Sequence, residues 1–139
     1  MSIPLDELLV DFPKAAPASE QSLQSAEKAL GKPLPADYRA FLLQCNGGEG
    51  FMGRHYLILW KAEKLAQFNQ EYQVPDYAPG LLMFGSSGGG EGFAFDTRMT
   101  PYPIVQVPFV GMSLNDAIPV ADSFGKLLEK MIQSDGSLL

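Results

Sequence analysis

Two glutamates sit in identical surroundings in this 139-residue chain. Glu49 lies in Gly47-Gly48-Glu49-Gly50-Phe51 and Glu91 in Gly89-Gly90-Glu91-Gly92-Phe93. Arg54 and His55 follow the first copy closely, and Asp96 follows the second. A carboxylate pair with a histidine and an arginine is the raw material of acid–base chemistry. Glycines on both sides of each glutamate give poor control of position, and catalytic carboxylates need tight placement. A small-ligand or enzymatic site built from Glu49, Arg54, His55 and Glu91 is therefore an alternative reading rather than the leading one.

Other chemistries are poorly served. Gly85-Ser86-Ser87-Gly88-Gly89-Gly90-Glu91 follows a predicted strand, as a phosphate loop would. Glu91 stands where that loop needs a lysine, and a strand follows instead of a helix. His55 is the single histidine, which excludes a multi-histidine metal site. Cys45 is the single cysteine, which excludes an internal disulfide and fits a reducing compartment. No catalytic residues, metal or cofactor are assigned.

The repeated string is not a duplicated unit, because similarity stops at its ends. Leu42-Leu43-Gln44-Cys45-Asn46 precedes one copy and Phe84-Gly85-Ser86-Ser87-Gly88 the other. Both copies read as glycine turns with a solvated glutamate at the tip. The first is expected to end a helix and open a loop, the second to join two strands. Phe51 and Phe93 are expected to return the chain to the core.

The elements that carry these turns follow from periodicity. Leu5, Leu8, Leu9 and Phe12 suit a short helix ended by Pro13, and a linker follows. Ser19 suits an N-cap, with Leu23, Ala26 and Leu30 on one face and Gly31 as the stop. Pro35 opens the next helix, whose buried face is Tyr38, Phe41, Leu42 and Cys45. Cys45 is read as core, and Asn46-Gly47 stops the helix. Tyr56–Trp60 is a predicted strand, and Trp60 is read as packing. Lys61–Tyr72 reads as a helix, and Pro75 and Pro79-Gly80 mark a loop.

Leu81–Phe84, Phe93–Asp96 and Ile104–Val107 are further predicted strands. Ala117–Val120 is a weaker one, kept to an edge by Pro119. Asp122 or Ser123 caps a last helix with Phe124, Leu127, Leu128 and Met131 on its buried face. The organisation expected is a short N-terminal helix and linker over 1–18, a domain over 19–133 and a frayed tail over 134–139. Helices come first, then mainly strands, then a helix, which gives an α+β fold. Its sheet is expected to be mainly antiparallel, with helices packed on one face.

The formal net charge is −6. That balance opposes nucleic-acid binding and favours a basic protein partner. The first residues lack the basic start and apolar run of a targeting segment, and no apolar run approaches the roughly 20 residues of a membrane span. A soluble cytoplasmic protein without membrane attachment is the expectation.

The run Glu27 to Leu42, with Leu34-Pro35, Tyr38 and Phe41, followed by Asn46-Gly47-Gly48, resembles the signature of the SUKH superfamily, the Smi/Knr group. Trp60 with Leu65, Phe84-Gly85 with Gly88-Gly89-Gly90, and Ala121-Asp122-Ser123-Phe124 with Leu127-Leu128 match it further, in order. The resemblance spans roughly residues 19–133. Acidic residues that the family carries near the glycine turn are replaced here by Ser86 and Ser87.

The resemblance implies an α+β fold and a binding role rather than catalysis. Bacterial members are similar to immunity proteins that neutralise toxins, often nucleases, of polymorphic or contact-dependent systems. Fungal members resemble regulators of cell-wall synthesis and signalling. The leading expectation is a non-enzymatic immunity protein, monomeric or weakly dimeric, that meets a basic toxin domain. A housekeeping regulatory adaptor of the same fold is the second. Glu49, Arg54, Glu91 and Asp96 are the expected partner-binding residues.

Overall fold

Ser19 accepts a hydrogen bond from the Ser22 amide at 3.0 Å and opens helix α2, Glu20–Leu30. Gly31, at φ 73°, closes it in the left-handed region that favours glycine. The computed structural model that contains these elements describes residues 4–10, 12, 13 and 15–134. Before α2 comes the one-turn α1, Leu5–Leu8. Leu8, Leu9 and Phe12 are buried in the common core. The Leu5 side chain and residues 135–139 of the expected tail lie outside what is described.

Helix α3, Ala36–Gln44, buries Tyr38, Phe41 and Leu42, and Cys45 is buried just beyond its end. Strands β1 (Gly48–Met52) and β2 (His55–Leu59) form a hairpin. A 3-10 turn at Ala62–Lys64 leads into α4, Leu65–Glu71, and then one-turn α5, Val74–Tyr77. Strands β3 (Leu81–Ser86), β4 (Glu91–Asp96), β5 (Ile104–Pro108) and β6 (Ile118–Ala121) follow. Helix α6, Phe124–Gln133, completes the described chain. The six strands form one sheet in chain order, and every pairing is antiparallel. The fold is α+β, as expected.

Three expectations need correction. The first glycine string is strand β1 rather than a loop. Phe51 is 61% exposed and does not return to the core, whereas Phe93 is buried. Val74–Tyr77 makes a helical turn where prolines suggested only a loop, because Pro75 occupies the first turn, where an amide is dispensable.

The core is centred on α3, α6, β3 and β4. Tyr38 lies 5.5 Å from Phe84, 5.1 Å from Phe95 and 5.1 Å from Phe124, ring centre to ring centre. Phe84 and Phe95 stack at 4.4 Å across neighbouring strands. Two glycines admit the backbone to this region. Gly47 has φ 80°, and a Cβ there would stand 2.7 Å from the Leu59 carbonyl oxygen. A Cβ on Gly85 would strike the Ile58 carbonyl oxygen.

The β2–β3 ladder is short, pairing Ile58 with Ser86 and Leu59 with Gly85. Beyond it the buried Asn69 side chain of α4 takes over. Its amide donates to the Met83 carbonyl at 2.9 Å and its oxygen accepts from the Met83 amide at 2.9 Å. One side chain thus satisfies both backbone groups that a strand would have paired.

Polar locks fix the helices. Glu27 of α2 accepts from the Leu34 amide at 2.7 Å and pairs with Arg39 of α3 at 2.9 Å. Asp37 of α3 accepts from the Gly125 amide in the first turn of α6 at 2.9 Å, 88 residues away in sequence. Ser123, the N-cap of α6, accepts from the Lys126 amide. Two amides that the helix cannot pair internally are thereby satisfied from two elements. After β4, the buried Asp96 holds Arg98 through both carboxylate oxygens, at 2.9 and 3.0 Å, and the Arg98 amide at 3.1 Å.

Two outcomes follow from these locks. Replacing Asp37 with Ala removes the cross-helix cap and should lower the unfolding free energy by about 1–2 kcal/mol in urea titration. Asp96 is the pH-sensitive case. The Arg98 guanidinium holds its carboxyl below the ordinary aspartate value. A depressed folded-state value means the stabilisation is present above about pH 4 and is lost as pH falls through that depressed value. Asp96→Asn should therefore cost about 1 kcal/mol at pH 7, a figure kept small because Arg98 is half exposed. The difference from wild type should shrink when the titration is repeated in acid, as pH falls through that depressed value.

Candidate functional site

Alternation in Gly48-Glu49-Gly50-Phe51 decides what β1 presents. A Cβ on Gly50 would stand 2.6 Å from Pro13 Cδ, and one on Gly48 would stand 3.2 Å from the Pro13 carbonyl oxygen. The glycine face of the strand therefore lies against the segment at Phe12 and Pro13. Side chains alternate along a strand, so Glu49 and Phe51 occupy the other face. Gly53, at φ 65°, and Arg54 make the tight turn into β2.

Across the hairpin Phe51 pairs with Tyr56 and Glu49 with Ile58. The Phe51 and Tyr56 rings meet edge to face, 5.1 Å apart and 79° between planes. The Tyr56 hydroxyl donates to Glu49 Oε2 at 2.5 Å. That bond to a carboxylate raises the tyrosine hydroxyl above its ordinary value. The turn between β3 and β4 borders the same face, where a Cβ on Gly88 would stand 3.2 Å from the Tyr56 ring. Ser86 and Ser87 hold this turn, accepting from the Gly88 and Gly89 amides at 3.3 and 3.2 Å.

The expected site residues are not gathered in one place. Glu49, Ile58, Ser86 and Gly92 form one row across four strands. Three strand spacings, about 14 Å, separate Glu49 from the strand bearing Glu91. Glu91 adjoins Gly92, so the pleat turns it away from the face of Glu49. Asp96 ends the same strand about 17 Å further along and is buried against Arg98. Arg54 is exposed in the hairpin turn and is engaged in an interaction of its own. His55 pairs with Met52 on the glycine face, opposite Glu49. The alternative acid–base set of Glu49, Arg54, His55 and Glu91 is thus split between faces and strands.

What sequence reasoning missed is the partnership of Phe51 and Tyr56 with Glu49. The available signal was the two-residue alternation of glycine with a large side chain, which marks a strand with one close-packed face. Among the described residues, no group of three or more His, Cys, Asp or Glu is placed to hold a metal ion. No described helix is long and apolar enough to cross a membrane.

A concavity of about 550 Å³ is lined by Leu34, Pro35, Asp37, Pro101, Tyr102 and Phe124. It lies where the Leu-Pro and Asp-Ser-Phe motifs meet, and Asp37 there is occupied in capping α6. Asn46 is similarly internal. Its oxygen accepts from the Ala62 amide at 2.8 Å and its amide donates to Glu63 at 2.9 Å. The motif residues converge on structure, with Tyr38, Phe41, Phe84 and Phe124 in the core and Asp37 and Asn46 as hydrogen-bonded locks.

Comparison with known proteins agrees with this convergence. The model of the SMI1/KNR4 family (SUKH-1) matches residues 17–130. A relative, "Uncharacterized protein YnaB" of Bacillus subtilis (strain 168), is 28% identical over 123 residues, covering 87% of this chain and 81% of that protein. With its motifs placed in an antiparallel α+β fold, the chain belongs to the SMI1/KNR4 family (SUKH-1).

Proposed function

We propose that this protein is a non-enzymatic binding domain that acts as an immunity protein, neutralising a toxin domain with a basic face. The observation that carries the reading is the outward face of the β1–β2 hairpin, where Glu49, Phe51 and Tyr56 stand exposed or half-exposed on paired strands. A side chain on paired strands is held better than one on a loop, which suits recognition of a protein surface. Family membership and the net charge of −6 support the same reading. The split of the acid–base set removes the main argument for chemistry.

In this reading the protein works in the cytoplasm, without cofactor, as a monomer or weak dimer. It covers or displaces the toxin's substrate site. A nuclease is a fitting target, because a cleft that attracts phosphate also attracts a carboxylate surface. Electrostatics would accelerate encounter more than they add affinity.

Co-expression with the toxin domain encoded beside it in the native host should restore growth, and the two proteins should co-purify as a complex. Continued killing with no complex would contradict the proposal. Added salt should slow association, since charged surfaces are screened beyond about 8 Å at physiological ionic strength.

A further inference from the structure

Isolated exposed apolar residues are ordinary on protein surfaces. Phe51 is not isolated in this sense. It is 61% exposed, its ring abuts Tyr56 at 5.1 Å, and Tyr56 is tied to Glu49 through its hydroxyl. Three side chains of different chemistry are thus linked on one face of two paired strands. Gly88 flanks the group, and a side chain there would crowd the Tyr56 ring. The glycine turn therefore keeps that margin low.

The arrangement selects its ligand. Aromatic faces carry negative charge density and attract cations. Glu49 uses Oε2 to accept from Tyr56, and a carboxylate has further acceptor capacity at both oxygens. A group that fits must lie flat on a ring and present several donors to a carboxylate at the ring's edge. The guanidinium of arginine does both, whereas the ammonium of lysine is a strongly hydrated point charge. The surrounding protein favours the same sign, with a net charge of −6.

We infer that the Glu49–Phe51–Tyr56 face of the hairpin is an arginine-reading site, into which a basic protein partner places a guanidinium group. The inference rests on the protein-binding reading above and specifies where and how that binding begins. It selects Glu49 among the four residues expected from sequence and adds two aromatic residues that sequence reasoning passed over. Glu91 and Asp96 have no part in this site, one turned to the other face and one buried.

The test uses the full chain, labelled with nitrogen-15, and short peptide probes followed by amide chemical shifts. Hexa-arginine, hexalysine and hexaglutamate are titrated at about 0.15 M salt, where long-range attraction is screened. Hexa-arginine should perturb the amides of Gly48–Met52 and His55–Ile58 most, and should bind more tightly than hexalysine. Glu49→Gln and Phe51→Ala should each weaken hexa-arginine binding by about five-fold or more. Tyr56→Phe, which leaves the ring and frees the carboxylate, should weaken it less. Asp76→Asn, a change to an exposed acid on α5, should leave it unaltered. The variants' own spectra report whether the fold is retained.

Shifts spread evenly over the acidic surface, or the same affinity in all four variants, would overturn the inference. So would absence of hexa-arginine binding. A protein that still protects its host from the toxin while failing this titration would lose the hairpin site and keep the proposed function. One that passes the titration but gives no protection would keep the site and lose the immunity reading.

Discussion

The packing of the Tyr38 ring against Phe84, Phe95 and Phe124 is the contact on which the rest of this structure depends. It joins α3 to the central strands β3 and β4 and to α6, elements that are far apart in sequence. Phe41 extends the group to Phe124 at 5.2 Å. Burying each such ring is worth about 1.5–3 kcal/mol, and edge-to-face contact adds to that. The Tyr38 hydroxyl has no hydrogen-bond partner among the described residues, and burial pushes it far above its ordinary value. The ring therefore acts as an apolar body, and its hydroxyl is a cost that the surrounding aromatics offset.

This constraint explains why the family's motif residues say little about function. Leu34 and Pro35 bring the chain into α3, Asp37 caps α6, and Tyr38 and Phe41 fill the centre. Asn46 and Gly47 bring the chain past Leu59 and Trp60 into the sheet. Recognition is left to surfaces the motifs do not specify. The two sheet edges differ in this respect. On β6, Pro119 has no amide to offer and Lys130 donates to the Val120 carbonyl at 2.8 Å, which blunts that edge. The hairpin at the other end presents Glu49, Phe51 and Tyr56.

Much of the fold was legible in the sequence because local and tertiary signals agreed. Ser19 and Ser123 cap the helices they precede, Gly31 stops α2, and Phe124, Leu127, Leu128 and Met131 are all buried. Pro119 falls on an edge strand as its missing amide requires. The site was less legible. Glycine weakens strand propensity, so Gly48–Met52 looked like a turn. Its strand character comes from pairing with β2 and from close approach of Pro13, and neither is a local property. Asp96 looked accessible because acids usually are, and only Arg98, two residues on, makes its burial tolerable.

The central claim is that the aromatic contacts around Tyr38 bind the sheet and the helices into one cooperative unit. Native-state hydrogen exchange tests it most directly. The buried amides of α3, β3, β4 and α6 should exchange only through global opening, with a common free energy equal to that from denaturant unfolding. If α6 amides exchanged at a markedly lower free energy than those of β3 and β4, the helix would open independently and the claim would be wrong.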